Sequence, residues 1–167
     1  MIRPEPSISK LAPLLAVVAT LALTGCGSPS QSAPPPSSTS GTVHQTLAQR
    51  YTKLVANGDA RLQTLSRQLN TAKGNVVAIQ TGFREVSATY RGVATSVKAL
   101  PFPAAMRGDV SAMVAALDTL AHDATQGSES VTPAEFDQVF VNLAAHQKTE
   151  VEANTKVNHD LGISFIS

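Results

Sequence analysis

The 167-residue chain has no tryptophan, one cysteine, and aromatic residues at only 4% of positions. One thiol excludes an internal disulfide, a cysteine-rich metal site and a thioether haem attachment, so any folded domain must be held by its core alone. The four histidines, His44, His122, His146 and His159, include no i, i+4 pair of the kind that sets two zinc ligands on one helix face. His146 and Glu150 do have that spacing, but a di-iron bundle needs Glu-x-x-His on two helices, so the pair reads as solvated. Met106 and Met113 fall on an apolar seam and read as packing residues rather than haem ligands. No Gly-rich phosphate loop or nucleophile elbow is present. The chain is therefore expected to be no enzyme, to carry no cofactor or metal, and to have no catalytic residue.

A long hydrophobic run is also missing. Residues 11–23 form an apolar stretch of 13, interrupted by Pro13 and Thr20, after a start that holds Arg3, Glu5 and Lys10. A membrane-spanning helix needs about 20 apolar residues, whereas the core of a secretory signal needs about 7 to 15. The stretch closes on Leu23-Thr24-Gly25-Cys26, which resembles the lipobox of bacterial lipoproteins at all four positions. That resemblance implies cleavage before Cys26, a diacylglyceryl group on its sulfur and often an acylated amino terminus. Two or three acyl chains, at about 0.8 kcal/mol per buried CH2, hold a soluble domain at a bilayer.

Residues 27–42 are small and polar around Pro34-Pro35-Pro36, with no charge. Such a segment buries too little to offset the ordering of its backbone and reads as a tether about 20 to 25 Å long as a flexible coil. Its Ser/Thr-Pro composition also suits O-glycosylation, although a plain spacer is the simpler reading. The organisation expected is a signal segment over 1–25, a lipidated Cys26 with linker over 26–42, and a folded domain over 43–167.

From residue 43 the period is helical. Val76, Ile79, Phe83, Val86, Tyr90, Val93, Val97 and Leu100 follow alternating steps of three and four, and Met106, Val110, Met113, Leu117, Leu120 and Ala124 continue them after Pro101 and Pro103. Proline suits a helix's first turn but not its interior, so a corner separates two antiparallel helices there. An earlier seam, Leu47, Tyr51, Leu54, Gly58, Leu62, Leu65, Leu69 and Ala72, runs through Asn57-Gly58 and predicts one helix over 43–72, weakened by about 1 kcal/mol at the glycine. The last helix opens on Thr132, Pro133 and Glu135, a capping box with a proline in the first turn, flanked by Val131 and Phe136 at staple spacing. Its seam is expected to run Phe136, Phe140, Leu143, Gln147, Val151, Asn154 and Leu161 and to end near Gly162. With short connections at 73–75, 101–103 and 126–132, the pattern predicts an all-α, up-down-up-down four-helix bundle. Ala and Val dominate the core positions, which predicts packing by close helix approach rather than by aromatic bulk.

If the first and last helices lie antiparallel with Val43 opposite Leu161, Asn57 and Gly58 fall beside Gln147, and Arg50 near Asn154. This predicts a polar groove of Asn57, Gly58, Gln147 and Asn154. One reading makes it a ligand pocket opened by the missing side chain at Gly58, and the other makes it a polar patch that sets helix register.

Charge is unevenly divided. Without Arg3, Lys10 and Glu5, the 13 basic and 12 acidic residues fall to 11 of each. Residues 43–100 nevertheless hold eight basic side chains against Asp59 and Glu85, while residues 101–167 hold three against nine acidic. The opposition either favours pairing of the two hairpins, at about 0 to 1 kcal/mol per exposed pair, or presents a basic hairpin to an anionic lipid or polymer surface. Net neutrality and few aromatics exclude nucleic acid as a partner.

The lipobox, the Ser/Pro tether, the Ala/Val-rich helices, the break Leu100-Pro101-Phe102-Pro103 and the closing Asn158-His159-Asp160-Leu161-Gly162 together resemble the small helical lipoproteins of mycobacteria and related actinobacteria. The resemblance implies a lipid-anchored, extracytoplasmic location at the cell membrane and carries over one functional residue, Cys26. The reading that follows is an interaction module of the cell envelope, with membrane lipid as a partner through Cys26 and an envelope protein or anionic surface through the basic hairpin. The alternative is a protein that holds a small apolar or amphipathic ligand between helices, and an envelope hydrolase or transferase comes third. The apolar tail Ile163, Phe165 and Ile166 either forms an exposed patch or covers one end of the bundle.

Overall fold

The computed structural model describes residues 38–72 and 74–163, and in the first helix it describes side-chain surroundings from residue 46. The expected signal segment, Cys26, most of the expected tether and the tail beyond Ile163 lie outside the described residues.

Four helices and no strand make up the described chain: α1 (Ser38–Thr71), α2 (Val76–Lys98), α3 (Arg107–Glu129) and α4 (Pro133–Asp160). A single 3-10 turn, Ala104–Met106, leads from Pro103 directly into α3. Consecutive helices pack side by side as an up-down-up-down bundle. The α2–α3 pair is the closest, α3–α4 the next and α1–α2 the loosest of the three, while the backbones of α1 and α4 scarcely approach each other.

The helix ends follow local chemistry. Gly74 adopts φ +81° in the turn after α1, and the Asn75 side chain accepts a hydrogen bond from the Ala78 amide at 3.1 Å to cap α2. At α4 the expected capping box is formed: the Thr132 hydroxyl accepts from the Glu135 amide, and the Glu135 carboxylate accepts from the Thr132 amide at 2.8 Å. Val131, at staple spacing, stays 61% exposed while Phe136 turns into the core. At the far end Gly162 takes φ +68°, and the amides of Gly162 and Ile163 donate to His159 and Asn158 carbonyls in a Schellman motif.

Two boundaries differ from expectation. α1 starts at Ser38, ahead of the periodic residues, and, as expected, it runs without a break through Gly58 because the apolar stepping continues on both sides. α3 continues past Gln126 to Glu129, so only three residues, 130–132, join it to α4. Gly127 is useful inside that helix because a Cβ there would stand 2.6 Å from the Phe83 ring.

The core is coarser than the composition suggested. Phe83 is fully buried, stacks on Phe136 with ring centroids 6.1 Å apart and meets Phe140 at 5.4 Å. Tyr51 meets Phe102 edge-on at 6.0 Å toward the opposite end. Close approach through small residues does hold between α2 and α3, where Ala116, Ala121, Ala124 and Gly127 are buried. There the buried Ser87 hydroxyl donates to the Ala121 carbonyl at 2.8 Å.

Candidate functional site: the seam between the first and last helices

The α1–α4 pair, whose backbones scarcely approach, carries a set of polar side chains along its seam. Its register is set at one end by the fully buried Tyr51, whose hydroxyl donates to Asn154 Oδ1 at 2.7 Å. The Asn158 amide donates to the same oxygen at 3.0 Å. This pairing lies within one residue of the antiparallel alignment that placed Arg50 near Asn154.

Of the four residues expected in the groove, Gln147 and Asn154 lie on this seam, and the other two do not. Asn57 is exposed. Gly58 is buried but faces α2, where Val93 Cγ2 lies 2.6 Å from the position a Cβ would take. The missing side chain therefore admits a valine from α2 rather than opening a pocket toward Gln147. Nearer the aromatic end, Leu62, Phe83, Tyr90, Phe140, Leu143 and Gln147 are among the residues that surround a mostly apolar crevice. Its free volume of about 20 Å3 has room for one water.

The second half of α4 corrects the expected seam. Val151 is 42% exposed, and the inward stepping runs Gln147, Glu150, Asn154, Val157 and Leu161 instead. Steps of four-then-three and three-then-four from Gln147 are equally helical, and the apolar residue was the more natural choice. The stepping itself is the signal that could have found Glu150.

Glu150 is half-buried, and so is Asp59 on α1. Neither accepts a hydrogen bond or lies within salt-bridge distance of a Lys, Arg or His among the described residues. Burial, then the charge of Asp59, pushes the Glu150 carboxyl up to about 7 from 4.5. Burial raises Asp59 as well. The Tyr51 and Tyr90 hydroxyls are held well above the usual phenol range by burial first and by Glu150 and Asp59 next, with Asp123 adding to Tyr90. Tyr90 is only 6% exposed, lines the crevice and has no hydrogen-bond partner among the described residues.

His146 also departs from expectation. Its Nδ1 lies 2.6 Å from Oδ2 of Asp123 on α3, a carboxylate that is 5% exposed, so it partners a neighbouring helix rather than Glu150. This contact joins residues 23 apart in sequence, and no local spacing announces it. Among the described residues no group of three or more His, Cys, Asp or Glu is placed to hold a metal ion.

The charge asymmetry has little direct bridging. The one Lys or Arg salt bridge among the described residues, Arg61 to Glu85 at 3.4 Å, joins α1 to α2 within the basic hairpin. Among the described residues no basic side chain of α1 or α2 reaches an acidic one of α3 or α4 at that distance. No described helix is long and apolar enough to cross a membrane.

Fold and seam together define an all-helical, four-helix bundle with a filled centre and one polar, loosely apposed side. No family model, no curated protein and no solved structure matches the chain.

Proposed function

We propose that this chain is an extracytoplasmic lipoprotein, held at the cell membrane through acylated Cys26, whose bundle serves as an interaction module of the cell envelope. The observation that carries the reading is Leu23-Thr24-Gly25-Cys26 closing a short apolar segment. The crevice in the core has room for one water, and the larger space, about 440 Å3 beside Leu69, Ala72, Val77 and Gly82, is an open surface groove, so both support a module that works through its surface. Val77, in the first turn of α2, and Val131, just ahead of α4, are 70% and 61% exposed. The two segments are tied together by the Gln80 side chain donating to the Ser130 carbonyl at 2.8 Å. Both lie at the end of the bundle remote from the start of α1, the end a tether would hold away from lipid.

Fractionation of cells tests the anchor. The wild-type chain is expected in the detergent phase with an acyl mass on Cys26, and Cys26→Ser in the aqueous phase; an unmodified wild-type chain in culture fluid contradicts it. The unbridged basic side chains of α1 and α2 support an anionic surface as partner, each contributing about 1 kcal/mol near such a surface. Vesicle binding at low salt is then expected to be stronger on anionic than on neutral lipid, and equal binding contradicts that partner.

The alternative reading, a small apolar or amphipathic ligand between helices, has one support. It is the open side of the bundle, where Tyr90 and Gln147 reach a water-sized space.

A further inference from the structure

We propose that the outward face of α2 is a binding track for a linear acidic polysaccharide, held by Arg84, Arg91 and Lys98. The proposal rests on the anionic partner proposed above, narrows it from a surface in general to a polymer, and is independent of the lipid anchor.

The three cations stand seven residues apart along α2, and all are exposed. Seven residues make nearly two full turns, so successive side chains drift by only about 20° around the helix and rise by about 10.5 Å. They form a straight ladder about 21 Å long. None of the three has a carboxylate within salt-bridge distance among the described residues, and Glu85, the one acidic residue of α2, is engaged by Arg61. Arg91 is also fixed in place. Its Nη2 donates to the Thr125 hydroxyl at 3.0 Å, and that hydroxyl lies 2.9 Å from the Ser87 hydroxyl. The guanidinium is thus held across the α2–α3 interface while its residue stays exposed, and its remaining N–H groups can fork onto a carboxylate.

What lies beside the ladder specifies the rest of the partner. Ala88, Gly92 and Thr95 are small and exposed. Gly58, Gly82 and Gly127 each admit a neighbouring side chain, Val93, Leu69 and Phe83 respectively, whereas a Cβ at Gly92 would meet no atom within 4 Å. Its φ is not positive either, so neither packing nor backbone conformation calls for a glycine that weakens the helix interior. Bare backbone at that point lets a polymer lie directly against the helix. The Thr81, Thr95 and Ser96 hydroxyls are exposed and have no hydrogen-bond partner among the described residues, so each can donate to and accept from the hydroxyls of a sugar chain.

A bilayer fits this face less well. A helix that docks on lipid sets Trp, Phe or Leu opposite its cations, and the one large hydrophobic side chain exposed on α2 is Val77, beyond the end of the ladder.

Polygalacturonate, dextran, polyphosphate and vesicles of anionic lipid, titrated at low salt into the full chain carrying Cys26→Ser, test the proposal. Polygalacturonate is expected to bind at least about tenfold more tightly than dextran, more tightly than polyphosphate or the vesicles at equal anionic charge, and more weakly as salt rises. Arg84→Gln, Arg91→Gln and Lys98→Gln together are expected to cost at least about tenfold in affinity. The control on α1, Arg50→Gln, Lys53→Gln and Arg67→Gln, removes the same charge from exposed positions and is expected to cost less than about threefold. Gly92→Gln is expected to raise the midpoint of thermal unfolding and yet to weaken binding. An equal loss from the two triple variants, or full affinity in Gly92→Gln, overturns the track. Polyphosphate or vesicles bound as tightly as polygalacturonate overturn the polysaccharide while leaving an anionic partner, and no binding of any charged probe overturns both.

Discussion

The α2–α3 interface and the α1–α4 seam are built from opposite materials. The first sets Gly127 against the Phe83 ring, buries Ala116, Ala121 and Ala124 on α3 and closes the buried Ser87 onto the Ala121 carbonyl. The second separates its backbones and fills the gap with tyrosine, asparagine, glutamine and two carboxylates lacking counter-ions among the described residues. Close apolar contact gives α2–α3 a single well-defined packing, whereas half-buried charge makes the α1–α4 seam sensitive to pH. The α1–α4 side is thus where protonation is expected to act on the fold.

The largest expected effect lies at the packed interface. Phe83→Ala removes the ring shared by Phe136, Phe140 and Gly127 and is expected to cost about 3 to 5 kcal/mol in urea unfolding, with hydrogen exchange accelerated throughout α2, α3 and α4. A loss confined to α1 would break the distinction between the two interfaces.

Glu150 gives the next largest effect, with the opposite sign. Its native midpoint, about 7, lies above its ordinary value of 4.5, so between these the native state binds more protons than the unfolded chain. Stability from this group is therefore greatest below the ordinary value and declines as pH rises toward 7. Glu150→Gln is expected to stabilise the bundle by about 2 kcal/mol at about pH 8, allowing for partial solvation, and by almost nothing at about pH 4. A uniform gain at both pH values would show that shape rather than charge is responsible.

Smaller effects sharpen the contrast. Thr132→Ala removes the α4 cap and is expected to cost about 1 kcal/mol at every pH, seen as a lower midpoint of thermal unfolding. Tyr51→Phe deletes the hydrogen bond to Asn154, which keeps its contact with Asn158, and is expected to cost about 1 kcal/mol. Exchange in that variant should quicken in the facing turns of α1 and α4 and nowhere in α2–α3; a global increase would contradict a local seam.

The sequence was most legible where apolar stepping had no rival. The seams of α2 and α3, the proline corner between them and the α4 cap all appear where spacing placed them. It was least legible where two helical phases were equally regular: after Gln147 the choice of Val151 over Glu150 put an exposed valine in the seam and left out the half-buried carboxyl. Gly58 shows a second kind of failure, because which neighbour fills a missing side chain depends on which helix faces it, and Val93 belongs to α2. The pairing of His146 with Asp123 and the proximity of Asp59 to Glu150 both depend on tertiary register. The aromatic trio was hidden by counting, since a few Phe residues placed at one level outweigh many alanines.

The charge state of one side chain tests the account most directly. An NMR titration of the Glu150 carboxyl carbon in the folded chain is predicted to show a midpoint of about 7, falling when Asp59→Asn removes the neighbouring charge. A midpoint near 4.5, unchanged by that substitution, would mean that the α1–α4 seam is open to water and holds no uncompensated charge.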